Sequence, residues 1–242
     1  MTVHPTPPHT APGPVPAGTG RRGRPAKSGA APLDRERVVR AAVGMTSTAE
    51  GEPLTFRALG ARLGVDPSAL YRYVASKDEL LLAVADGIIG EAMCGFAETG
   101  DWRADLTELL HRVHRAYLDH PQVAVAATPR VTRLPAEMDL TETLLRILTR
   151  AGLDEPRAVL VYRALEDTVL AWTGFRAAVE LHPEAEADQR KWEQTYRAAD
   201  PRTHPFSAAH AGPMTAVELE EAFATALQLQ LAGLATELES AP

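Results

Sequence analysis

Residues 54–80 read LTFRALGARLGVDPSALYRYVASKDEL, and their spacing predicts three helices separated by two short joints. Thr55 occupies a cap position, with Phe56, Leu59 and Leu63 on one side of a helix over 55–63. Gly64 ends that helix, as glycine does where the chain must turn left-handed. Asp66 is placed to cap a third helix over 67–73, and Pro67 fits its first turn. Ser76-Lys77-Asp78-Glu79 is a capping-box pattern opening a long fourth helix from about Lys77 to Ala97. Two helices joined by so short a turn match a helix-turn-helix.

The roughly 100° step per residue gives this unit an inside and an outside. Leu70 and Val74 lie four apart and face inward against Leu59 and Leu63, so Ser68 and Arg72, each two positions from Leu70, face outward. Ala69 and Tyr71 flank that outward side. A small surface with one arginine suits a DNA major groove about 12 Å wide: arginine pairs with guanine, serine donates or accepts, and an alanine methyl meets thymine. Tyr71, Tyr73 and Lys77 are placed to bond phosphates. Thr55 adds a hydroxyl beside a helix N-terminus, a natural phosphate seat.

Upstream, Asp34 can cap a first helix carrying Val38, Ala41, Ala42 and Met45, ended by the polar stretch Thr46 to Pro53. Residues 1–32 contain 8 Pro, 5 Gly and no acidic residue, a composition that supplies no packed core. Within them Arg21, Arg22, Arg24 and Lys27 are positioned either to follow phosphates and enter a minor groove or to serve only as a solubilising tail.

The 54–80 stretch resembles the DNA-binding domain of the TetR (tetracycline repressor) family. The Leu-Gly-Val turn, the Leu70-Tyr71 pair, the aromatic Tyr73 and Lys77 all fall at family spacing, and the helix over 35–45 fits as well. The likeness covers about 50 residues. Gly60 replaces a common alanine and Val74 a frequent phenylalanine. The resemblance implies a dimeric repressor whose ligand-binding body controls the spacing of two heads. It maps DNA contacts onto Thr55, Arg57, Pro67, Ser68, Ala69, Tyr71, Arg72, Tyr73 and Lys77, with Arg57 and Arg72 best suited to specificity.

Beyond residue 80 every break carries helix punctuation. Helices are expected over 101–120, 121–127, 135–151 and 156–182, with at most one short helix around 191–199 in the polar stretch 184–213, and a last one over 215–239. With no alternating pattern of useful length, the fold is expected to be all-α: a tail over 1–32, a helix-turn-helix domain over 33–80, and a helical effector-binding and dimerisation domain over 81–242. Residues Ala222–Thr236 carry no charge, and 156–181 is apolar round most of its circumference. Helices apolar on two sides need a partner outside the subunit as well as inside, so 156–181 and 215–239 are expected to form a homodimer seam. Trp102, His114, Tyr117, Met138, Tyr162, Trp172 and Phe175 are candidate contacts for a largely apolar effector held between helices, though each also suits plain core packing.

Composition narrows the classes. The 242 residues are 45% apolar and 24% charged, ordinary for a globular chain. Only 5% are aromatic, so the core must be mostly aliphatic, which favours helices. The net charge of −7 divides unevenly: residues 1–80 hold 11 basic against 7 acidic side chains, residues 81–242 hold 14 against 25. A basic front on an acidic body points to a polyanionic partner at one end. Cys94 is the only cysteine, which excludes an intrachain disulfide and a cysteine-based zinc finger. No apolar run reaches the ~18 residues of a membrane span and no secretory pattern opens the chain, so a cytoplasmic protein is expected. Glu108, His111 and His114 have metal-like spacing without a fourth ligand, and a solvated helix face explains them better. No cofactor is expected, since phosphate-cradling loops, nucleophile elbows and His-Glu-x-x-His motifs are lacking. A ligand-responsive repressor leads; a protein-binding module with a vestigial helix-turn-helix, or a helical enzyme, stands behind it.

Overall fold

Four side-chain caps set the order of the first helices. Asp34 accepts from the Arg37 N–H at 2.7 Å, Thr55 from Ala58 at 3.1 Å, Asp66 from Ser68 at 2.8 Å and Ser76 from Glu79 at 3.0 Å. Each satisfies an N–H that the helix cannot, which fixes where α1 (Arg35–Val43), α2 (Phe56–Leu63), α3 (Pro67–Leu70) and α4 (Lys77–Met93) begin. The computed structural model describes residues 32–47 and 54–240; the Arg22 and Arg24 contacts expected of the tail lie outside them.

The joint between α2 and α3 depends on two glycines. Gly64 takes φ +70°, where its N–H closes on the end of α2. Gly60 lies where a Cβ would stand 3.0 Å from the Val65 carbonyl oxygen and 3.2 Å from Pro67, so the two helices approach as closely as their backbones allow. The third helix is shorter than its pattern predicts. It stops at Leu70, whose carbonyl accepts from both Tyr73 and Val74, and 71–73 form a turn that brings Val74 back into the core. Likewise α4 ends at Met93 rather than Ala97, because Gly95 turns left-handed at φ +71°.

The described residues continue as α5 (Trp102–Leu118), α6 (Pro121–Ala127), α7 (Pro135–Arg150), α8 (Glu155–Glu180), α9 (Ala185–Arg197), α10 (Pro205–Thr215) and α11 (Leu219–Ser240), with no strand among them. The stretch 184–213 thus holds two helices where the sequence pattern predicts one at most. α9 buries no residue and so shows no apolar stripe to read. α10 contains Pro213, which reads as a terminator but sits inside the helix.

Leu33–Pro242 is one unit, and α4 runs through its middle. Leu80, Val84, Ala85 and Ile88 are fully buried, and α4 packs on α1 as well as on α5, α6 and α7. The head therefore shares its last helix with the body. α8 and α11 pack together, burying Leu165, Leu227 and Leu231 in the core, are tied by a Gln230–Thr168 hydrogen bond and an Arg157–Glu237 ion pair, and keep Leu160 and Leu229 exposed.

Candidate nucleic-acid interface and ligand cavity

The head presents one polar side and hides the other. Leu59, Leu70 and Val74 are at most 1% exposed, while Arg57, Ser68, Tyr71, Arg72 and Lys77 are exposed, with Pro67 and Ala69 half-buried between them. The helical repeat divides Leu59 and Leu70 from Arg57 and Ser68, and the turn at 71–73 leaves Tyr71 and Arg72 outside while returning Val74 to the core. Arg57, Arg72 and Lys77 have no ion-pair partner among the described residues. Thr55 uses its oxygen as a cap acceptor, which leaves its proton to donate.

Two expected phosphate or base donors are already committed. The Tyr73 hydroxyl donates to the Leu33 carbonyl at 2.6 Å, anchoring the start of α1. The Ser68 hydroxyl donates to Asp66 at 2.6 Å, and the two hydrogen bonds from Ser68 hold the Asp66 carboxyl below its usual range. Both side chains retain only acceptor capacity. Tyr71 stacks on Phe56 with ring centroids 4.4 Å apart, which fixes its ring while its edge stays exposed.

The body holds a cavity of about 230 Å³ between α4, α5, α7 and α8, closed on one side by the 128–132 loop. Ile89, Leu110, Val113, Leu140, Leu144 and Val169 form its apolar wall; Arg130, Thr132, Glu137, Arg163, Glu166 and Asp167 form the polar one. Glu137 organises the loop: its Oε2 accepts from the Thr132 N–H and hydroxyl and from the Arg133 N–H. Arg133 is held at φ +58°, a costly conformation for a side chain with a Cβ. Asp86 on α4 accepts from the Glu137 N–H at 3.0 Å and so caps α7, whose own cap residue, Leu134, has no side-chain acceptor. Arg130, from the same loop, forms a bidentate pair with Asp78 in the first turn of α4.

Of the seven effector contacts expected from sequence, only Tyr117 lies on this wall. Tyr162 is adjacent, bonded to Thr141 at 3.2 Å. Trp102 borders a separate cleft with Glu98 and Asp105. Met138 and Phe175 are 67% and 55% exposed, and Trp172 meets the edge of Phe223. His114 is a core residue. Its Nδ1 lies 2.7 Å from the Thr173 hydroxyl, which itself donates to Val169, so Nδ1 carries the donated proton. The ring stacks on Phe223 at 3.9 Å and turns Nε2 to Glu220. Burial lowers its pKa, against the opposing pull of Glu220.

The solvated face expected for Glu108, His111 and His114 is therefore wrong for His114, which α8 and α11 cover. Glu108 pairs with Arg112 instead, and among the described residues no group of three metal-ligating side chains converges. Sequence reasoning missed Arg130, Glu137, Arg163, Glu166 and Asp167. A signal was available in α8, where Arg163, Glu166 and Asp167 cluster in the middle of a helix whose other charges lie near its ends.

A helix-turn-helix head sharing α4 with a cavity-bearing helical body defines a class of two-part all-α proteins. Residues 40–84 match the family described as bacterial regulatory proteins, tetR family, and residues 95–238 match the tetracyclin repressor-like C-terminal domain. The chain belongs to the TetR family. An HTH-type transcriptional regulator of Saccharopolyspora erythraea is 27% identical over 138 residues, 57% of this chain and 58% of that protein. The transcriptional repressor DrrR1 of Streptomyces coeruleorubidus is 34% identical over 143 residues, 58% of this chain and 52% of that one. The chain thus spans little more than half the length of these curated relatives. Apo ActR of Streptomyces coelicolor superposes with a TM-score of 0.76 at 26% identity, covering 88% of this chain and 100% of ActR. ActR in complex with actinorhodin gives 0.72 at 27% identity, over 86% and 99%.

Proposed function

We propose that this chain is a cytoplasmic, homodimeric transcriptional repressor that leaves a palindromic operator when a small, largely apolar effector enters the body. The observation that carries the reading is the sidedness of α3 and the turn after it: Ser68 and Arg72 are open to solvent while Leu70 and Val74 are sealed. Arg57 and Arg72 read bases; Thr55, Tyr71 and Lys77 hold phosphates. Family membership, a relative named as a repressor and a ligand-bound ActR support the same reading. No helix among the described residues is long and apolar enough to cross a membrane.

The dimer is proposed through α8 and α11. Each buries one side in its own subunit and leaves apolar side chains on the other, Val159 and Leu160 on α8 and Leu229 on α11. Pairing with symmetry mates covers both. The two heads then face half-sites roughly one helical turn apart. Asp78 and Asp86 on α4 grip the loop and helix that bound the cavity, so a ligand that moves this loop moves the helix that the head shares. A preference of about 2.7 kcal/mol for the displaced state weakens operator binding a hundredfold.

Selection of bound sequences from random duplex DNA tests the reading. An enriched palindrome is expected, with affinity falling in log salt at a slope of about −0.9 per neutralised phosphate. No enrichment at low salt by a folded dimer would refute it.

A further inference from the structure

The cavity wall carries more negative charge than its cations balance. Glu137, Glu166 and Asp167 stand there with Arg130 and Arg163. Arg130 is paired with Asp78, outside the lining. Arg163 is divided between Glu166 at 3.0 Å and Asp167 at 2.7 Å. Glu137 meets no cation: its Oε2 takes three donors from the loop, and its Oε1 takes none among the described residues. Asp86 bonds the backbone of the same residue and adds a further carboxylate behind it.

Tyr117 lines this space and is 4% exposed, and its hydroxyl makes no hydrogen bond to any described residue. No buried side-chain polar atom lacks a partner among the described residues, so this hydroxyl is reached from the cavity and is open to a ligand group there. Burial, with Glu137 and Asp86 near it, keeps the phenol protonated. Burial also lifts the Glu166 carboxyl above its usual range, against the Tyr162 hydroxyl and Arg163 that favour its charge, and the neighbouring carboxylates Asp167 and Glu137 add to that lift. A cation among these carboxylates removes that repulsion, and the Tyr117 hydroxyl beside it can accept a hydrogen bond from an ammonium.

We infer that the cavity takes an apolar molecule bearing a protonated amine, with the ammonium held by Glu137 and Glu166 beside Tyr117. This rests on the reading of the cavity as the effector site. Three probes of one shape separate charge from fit: naphthalen-2-ylmethylamine as the ammonium, naphthalen-2-ylmethanol as the neutral form and 2-naphthoate as the anion. Calorimetric titration of the full chain is expected to show the amine binding at least about tenfold tighter than the alcohol, and the carboxylate weaker than both. Glu166→Gln is expected to cut the ratio of amine to alcohol affinity by about tenfold.

An anion bound as tightly as the amine, a ratio unchanged in Glu166→Gln, or no binding of any probe at millimolar concentration would overturn the assignment. Operator affinity measured alongside separates the two claims. If 2-naphthoate binds best and releases the operator, the charge assignment fails and the repressor stands. If the amine binds in the expected order while no duplex is selected, the assignment stands and the repressor fails.

Discussion

The head and the body place their polar groups differently. In the head, the bonds that fix helix starts join neighbours: Asp34 to Arg37, Thr55 to Ala58, Asp66 to Ser68, Ser76 to Glu79. In the body Asp101 and Asp154 cap α5 and α8 in the same local way, but α7 is capped from α4 by Asp86, and the side-chain bonds that join helices link distant residues: Glu98 to Arg146, His114 to Thr173, Arg157 to Glu237. A local bond leaves a spacing in the sequence, and a distant one leaves none. The head is therefore a motif, whereas the body is a packing solution that many sequences reach.

The strongest test of that contrast is Leu70→Ala. The head has a small core and Leu70 is fully buried, so a loss of about 2–5 kcal/mol is expected in urea unfolding, with DNA binding abolished. A smaller loss would show that the head does not depend on this contact. Next is Arg72→Ala, expected to cost about 1–3 kcal/mol at one base pair while the melting temperature stays unchanged, because the side chain is exposed and has no ion-pair partner among the described residues. A drop in melting temperature would mean that Arg72 supports the fold instead.

Thr55→Ala removes one cap and is expected to cost about 1 kcal/mol of stability, measured by thermal unfolding against Thr55→Ser as the control that retains it.

Acid tests the join between the two regions. His120, just before α6, donates to Thr46 after α1, since Thr46 gives its own proton to Val43. Burial lowers the His120 pKa below the ordinary 6.5, against Thr46, Glu91 and Asp119. The unfolded chain then takes up the proton first, so stability present above pH 6.5 is lost as pH falls through the folded value. His114 behaves alike. Melting temperatures are expected to fall from pH 7 to 5.5, before the carboxylates titrate, and His120→Gln is expected to flatten part of that fall.

The smallest effect is expected from Asp78→Asn. An exposed ion pair adds little to stability, so the melting temperature is expected to hold. Amide hydrogen exchange in the 128–132 loop is expected to quicken, because the loop loses its bidentate tie to α4. Unchanged exchange would remove this link from the proposed route between cavity and head.

These differences explain how much was readable beforehand. The helix starts at Asp34, Thr55, Asp66 and Ser76, the turn at Gly64, and the sidedness of Ser68 and Arg72 against Leu70 all follow from spacing. α9 is legible only as a short helix around 191–199 because it buries nothing that would mark its start, and α10 is hidden because Pro213 lies within it. The effector contacts were the weakest part. Large or polarisable residues were chosen on type, yet Met138 and Phe175 face solvent and His114 closes a core joint, while the charged wall was passed over as helix surface.

The amino-acid order alone determined an all-α chain, the helix-turn-helix and the residues on its open side, because caps, turns and helical period act within a few positions. Tertiary structure decided which carboxylates border the cavity, that Tyr117 stands among them without a partner, and that Tyr73 and Ser68 already direct their protons inward. Those outcomes depend on which helix packs on which, and that is set by the summed burial of side chains dozens of residues apart.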